Sequence, residues 1–128
     1  MSRSSSSPYA ATHPLRDDRD ASARTVFKRE PGSLNHYSLR IRNAGRAEVT
    51  SASLVRTEGS PALGVESARV EIFDEDSGDG IGELVLRQGQ VCPRGPATLD
   101  AVWIRYTVLG MRHEQRIPLV NGPAVRCR

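Results

Sequence analysis

The sequence predicts an all-β protein, a two-sheet antiparallel sandwich of about seven strands with a flexible N-terminal arm. Three observations carry that expectation. From Thr25 onward, apolar and polar residues alternate in short runs broken by turn signals about every ten residues. Gly (11) and Pro (8) are frequent, and no segment of about a dozen residues shows helical periodicity. The chain is 128 residues long, which bounds it to one domain large enough to bury a core without several staples.

Residues 1–23, MSRSSSSPYAATHPLRDDRDASA, combine serine, proline and mixed charge without apolar periodicity. Such a stretch buries too little to offset the entropy of ordering it, so it is expected to be an arm, with the sandwich spanning 24–128. In HYSLRIRNAG, Tyr37, Leu39 and Ile41 fall on one face and Ser38, Arg40 and Arg42 on the other, before Asn43-Ala44-Gly45 turns the chain. A run from Ala47 to Val55 is expected to pair with it as an antiparallel neighbour, until Glu58-Gly59-Ser60-Pro61 breaks the pattern. Ala68, Val70 and Ile72 form a third inward row with Arg69 and Glu71 outward, and Ile81 to Leu86 a fourth, rejoined through an acidic turn. In LDAVWIRYTVL, Val102, Ile104, Tyr106 and Val108 alternate with Trp103, Arg105 and Thr107. Gly110 then turns this run into HEQRIPL as a closing hairpin, with Trp103 either lying over the second layer or capping an exposed face.

The stretch YSLRIRNAGRAEVTSASL resembles the opening hairpin of bacterial immunoglobulin-like and adhesion-type β-sandwich modules, whose alternating strand runs into an Asn-x-Gly turn. That resemblance implies an immunoglobulin-like fold with no inherent activity. A second stretch, VEIFDEDSGDGIGELVL, resembles the calcium-loop strand pair of C2 domains. It implies calcium ligation by Asp74, Asp76 and Asp79, with Ile81 plugging the core and Gly82 permitting the strand to re-enter. A C2 site also draws aspartates from an earlier loop, and the earlier turns here supply none. The alternative is a soluble hairpin tip, in which Asp79-Gly80 makes the tight turn and the acids keep an edge unpaired.

Charge and motif content narrow the function. Lys and Arg (18) nearly balance Asp and Glu (15), leaving +3 without the clustering that a specific nucleic-acid surface needs. No apolar stretch reaches the roughly 18 residues of a membrane span. His13, His36 and His113 have no ligand spacing, no serine sits in a nucleophile elbow, and no phosphate-binding glycine loop is present. Arg40, Arg42 and Arg105 are expected to share an outer sheet face, either as an anion-binding stripe or as a solvated face interleaved with Glu48 and Glu114. Cys92 and Cys127 are two inert thiols or a disulfide. A disulfide would contribute about 3–4 kcal/mol by chain entropy and imply an oxidising compartment or a particle surface.

These readings point to a non-enzymatic binding or structural module. It would have no cofactor, or calcium alone, and its partners would be proteins, such as neighbouring subunits of a virion or cell-envelope assembly reached by the arm. Two alternatives stay open: a calcium-dependent C2-like module that docks to membrane or protein, and a small enzyme whose site the sequence does not reveal.

Overall fold

A computed structural model describes residues 14–17, 24–45, 49–72, 80–92 and 94–126. Among these the chain forms β1 (Leu15–Asp17), β2 (Val26–Phe27), β3 (Leu34–Asn43), β4 (Val49–Gly59), β5 (Leu63–Ile72), β6 (Gly80–Gln88), β7 (Pro96–Val108), β8 (Met111–Pro118) and β9 (Ala124–Arg126). One sheet runs β1-β3-β6-β5; the other runs β2-β9-β7-β4, with β8 also paired to β7. All ladders are antiparallel except β2 on β9.

Strands β8 and β9 are one strand interrupted. Both lie along the edge of β7 away from β4, β8 against Ala101–Val108 and β9 against Pro96–Thr98. From Ala101↔Pro118 to Thr98↔Ala124, β7 advances three residues and its partner six, so three extra residues bulge out. Bonds from Leu119 N to Asp100 O (2.8 Å) and from Leu99 N to Pro123 O (3.0 Å) hold both flanks of the bulge. Gly122 is required there, because a Cβ would collide with the Leu99 carbonyl. Once β8 and β9 are merged and the short β1 and β2 are taken as one divided strand, the order is that of a seven-strand immunoglobulin-like sandwich.

The alternation read from the sequence builds the core. Tyr37, Leu39 and Ile41 of β3 and Val102, Ile104 and Tyr106 of β7 are all buried, in opposite sheets. The β5–β6 and β7–β8 hairpins form as expected. Strand β4 does not pair with β3. β6 takes one edge of β3 from Leu34 to Ile41, β1 takes its C-terminal residues Ile41–Asn43, and β4 pairs with β7 across the core. Just after β3, Gly45 N donates to Asn43 Oδ1 (3.0 Å) and Ala44 N donates to Pro14 O (2.8 Å). Two strands that each bury one face in the same core alternate identically whether they are neighbours or opposed, so the pattern alone does not separate the cases.

The third row faces inward as read: Ala68 and Val70 lie opposite buried Leu84 and Gly82, and Arg69 and Glu71 opposite exposed Glu83 and Ile81. A register shift between Val65 and Ser67 brings Leu63, the buried anchor of β5, onto the same face, while at this sheet edge Val70 is only half-buried and Ala68 is exposed.

The expected boundary at residue 23 does not mark the start of the sandwich. Leu15 is 1% exposed and belongs to the core, while β1 pairs with β3. Its other side is closed by the buried Gln115, whose Oε1 accepts from Leu15 N (3.0 Å) and whose Nε2 donates to Leu15 O (2.6 Å). The side-chain amide thus acts as a missing ladder partner across the seam between the sheets. A second buried amide, Gln88, fastens the approach to β3. Its Nε2 donates to Lys28 O (2.7 Å) and Asn35 Oδ1 (2.9 Å), and its Oε1 accepts from Glu30 N (2.9 Å) and Arg29 Nη1 (3.2 Å). Both glutamines look like ordinary polar residues in the sequence, and only the fold puts them inside.

Candidate functional site

The sandwich offers two outer faces of different chemistry. On β4–β7–β8, strand pairing places Arg56, Trp103 and Arg116 in one cross-strand row. Trp103 alternates with buried Val102 and Ile104, so its ring stands outward, half-buried, where it caps the outer face. The Arg56 guanidinium lies 4.0 Å from the ring centroid. The indole Nε1–H donates to Glu58 Oε2 (2.6 Å), and Arg116 Nε donates to Glu58 Oε1 (2.9 Å). These two donors, the indole first and then the guanidinium, hold the Glu58 carboxyl below its ordinary value of 4.5. Two residue pairs along, Arg105 donates from Nε (3.1 Å) and Nη2 (2.7 Å) to Glu114 Oε2.

On β1–β3–β6–β5 the pairing is uneven. Arg87 donates to Glu66 (2.8 Å) and to Gly32 O (3.0 Å), and the contact with Glu66 lowers the Glu66 pKa and raises that of Arg87. Arg69 pairs with Glu71 on the same strand. At the β1–β3 corner, however, Arg16 sits directly across the ladder from Arg42, and Arg40 lies two residues further along the same exposed face. Neither Arg40 nor Arg42 forms an ion pair among the described residues.

The expected stripe of Arg40, Arg42 and Arg105 is therefore not brought together. Arg105 belongs to the other sheet and is matched by Glu114, and the third arginine of the corner is Arg16. Arg16 is hidden in the sequence because it stands in a segment whose composition reads as an arm. The signal that could reveal it is the Leu15-Arg16-Asp17 alternation, three residues long.

Asp74, Asp76 and Asp79 lie outside the described residues. Among the described residues no group of three or more His, Cys, Asp or Glu could hold a metal. Ile81, which the C2 resemblance puts in the core, is 39% exposed on the outer face, and the inward position next to it is Gly82, packed against Leu39. Cys92 is half-buried against the core, while Cys127 falls outside the described residues. His36 is exposed on β3, His113 packs its ring 5.6 Å from that of Tyr106, and His13 is outside the described residues.

Between β1 and β8 a groove of about 320 Å³ runs along the seam, with Leu15, Asp17, Gln115, Ile117 and Val120 among its lining residues. Asp17 Oδ2 accepts from Val120 N (2.7 Å) across it. Among the described residues no helix is long and apolar enough to cross a membrane.

No family model matches the chain, and no curated protein sequence matches it. Among solved structures it is similar to an ASH / PapD-like domain of human CEP192 (PapD-like domain 7), at 13% identity and a TM-score of 0.44, over 98% of this chain and 92% of that one.

Proposed function

We propose that the chain is a non-enzymatic binding or structural module that joins a larger protein assembly through residues 1–13, with the sandwich as a rigid head. The observation that carries this reading is the pinning of Pro14–Asp17. Pro14 O accepts from Ala44 N, β1 is laddered to β3, and Gln115 clamps Leu15 from the other side. A segment of arm-like composition would thus issue from a fixed post. Thirteen extended residues reach about 40 Å, enough to engage a neighbouring subunit.

The test is deletion of residues 1–13. The melting temperature should stay within about 2 °C of the full chain, because Leu15, the core anchor of the N-terminal segment, is kept. In extracts of its source cells the full chain should elute as part of a large complex on sizing, and the truncated protein as the monomer. A truncated protein that keeps its place in that complex overturns the reading.

The same proposal includes a Cys92–Cys127 disulfide. Supporting it, β9 pairs Arg126, the residue before Cys127, with Pro96, four positions after Cys92. Ready alkylation of both thiols in the native protein, without reductant, would remove the bond and the oxidising compartment with it. We read the acidic run between Ile72 and Gly80, which are ladder partners, as a soluble hairpin tip. Melting in chelator and in millimolar calcium should then give the same midpoint, and a calcium-dependent rise abolished by Asp76→Asn would make it a metal site.

A further inference from the structure

We propose that the free edge of β5, from Ser67 to Ile72, takes the same strand of a second copy of this chain in antiparallel register, with Val70 of both copies on the two-fold axis. The contact is independent of residues 1–13, since β5 and β1 are the opposite ends of their sheet. Two long strands, β4 and β5, end the sheets. β4 is broken by register shifts between Thr50 and Ser53, Leu54 and Arg56, and Glu58 and Gly59, and Ser51 takes a left-handed φ of 54°. Bulges of that kind keep an edge from templating another strand. β5 has one shift, between Val65 and Ser67, and from Ser67 to Ile72 it stays in continuous register with β6. The inward row of this stretch holds Ala68 and Val70 without a guarding charge, and Ala68 is left exposed. A row of backbone N–H and C=O groups along it remains to be paired.

Charge selects the occupant and the register. Arg69 and Glu71 stand two residues apart on the outer face and pair with each other along the strand, both largely exposed. A two-fold contact repeats every pairing, residue i on j and j on i. With the axis at Val70, Arg69 lies opposite the partner's Glu71 and Glu71 opposite the partner's Arg69, with Cβ atoms about 4.5–5.5 Å apart. The four groups then form a square in which every side joins opposite charges, and the ion pair of the monomer is kept. Moving the axis to Arg69 or to Glu71 sets like charges face to face, and moving it to Ala68 leaves Arg69 opposite Ser67. On the inner side the same register lays half-buried Val70 against the partner's Val70. A ladder this short buries less than a standard interface, so the dimer is weak and reversible.

The experiment is sedimentation equilibrium of the full-length protein from about 20 µM to about 1 mM, at about 50 mM salt. A monomer–dimer equilibrium should emerge across that range. Arg69→Glu and Glu71→Arg should each weaken it about tenfold, whereas an equal mixture of the two should recover a heterodimer of wild-type affinity, because each Glu again meets an Arg. The double variant Arg69→Glu/Glu71→Arg should dimerise like the wild type. Ala68→Lys, which adds an inward charge at the edge, should abolish the dimer, with circular dichroism of every variant unchanged. At the dilution of a cell extract this contact is dissociated, so sizing of the chain without residues 1–13 reads the tether alone. A protein still monomeric at about 1 mM would overturn the proposal and leave the edge to a strand of another protein. So would a dimer that survives Ala68→Lys, a mixture of charge variants that fails to recover, or a dimer lost on deleting residues 1–13.

Discussion

The two outer faces of the sandwich use the same residue type in opposite ways. On β4–β7–β8, Arg56, Arg105 and Arg116 are each matched to a ring or a carboxylate, and two of these matches converge on Trp103 and Glu58. At the β1–β3 corner, Arg42 faces Arg16 across the ladder, and Arg40 and Arg42 have no carboxylate within reach among the described residues. The first arrangement satisfies its own charges and so favours the fold. At the second, the exposed Arg40 and Arg42 add no ion pair among the described residues, so this face contributes less to holding the fold.

The largest effect should come from undoing the corner at its root. Leu15→Ala empties a fully buried core site and loosens β1, so unfolding free energy should drop by about 2–5 kcal/mol in urea titrations, against almost nothing for deletion of residues 1–13. If both changes cost the same, β1 is not the part of the N-terminal segment that the fold requires. On the opposite face, Trp103→Ala removes the ring under Arg56 and the donor to Glu58, and should cost about 2 kcal/mol. A cost near zero would make that face as inessential to folding as the arginine corner.

The pH dependence of Glu58 sharpens the same contrast. Its folded pKa is depressed below 4.5 by Trp103 and Arg116, so the stability it contributes is fully present above the unfolded value and is lost as pH falls through the folded one. Melts of the wild type and Glu58→Gln should therefore differ at pH 7 and converge as the pH falls below the ordinary carboxylate range. A gap that persists at acid pH would assign the effect to shape and not to charge. The smallest change concerns the corner itself: Arg42→Glu converts a like pair with Arg16 into an opposite one and should raise the melting temperature by about 1–2 °C.

Much of this architecture is legible in the amino-acid sequence, and the parts that are not share a cause. Strand β3, the hairpin through the acidic run and the hairpin around Gly110 follow from period-two burial with local turns, and all three form. Assigning β4 to the other sheet needs long-range information that the alternation of Ala47 to Val55 does not contain. β1 escapes a reading by pattern because three residues cannot establish a period, and because Leu15 is held by Gln115, 100 positions away. The anion stripe fails in the same way: Arg40 and Arg42 share a strand and group correctly, while placing Arg105 and Arg16 depends on which strand lies beside which.

The most direct test of the contrast between the faces is a pair of urea titrations, one of Trp103→Ala and one of Arg40→Gln/Arg42→Gln, each against the wild type. The expected result is a loss of about 2 kcal/mol for Trp103→Ala and a change within about 0.5 kcal/mol for the arginine pair. Losses of equal size in the two variants would contradict it.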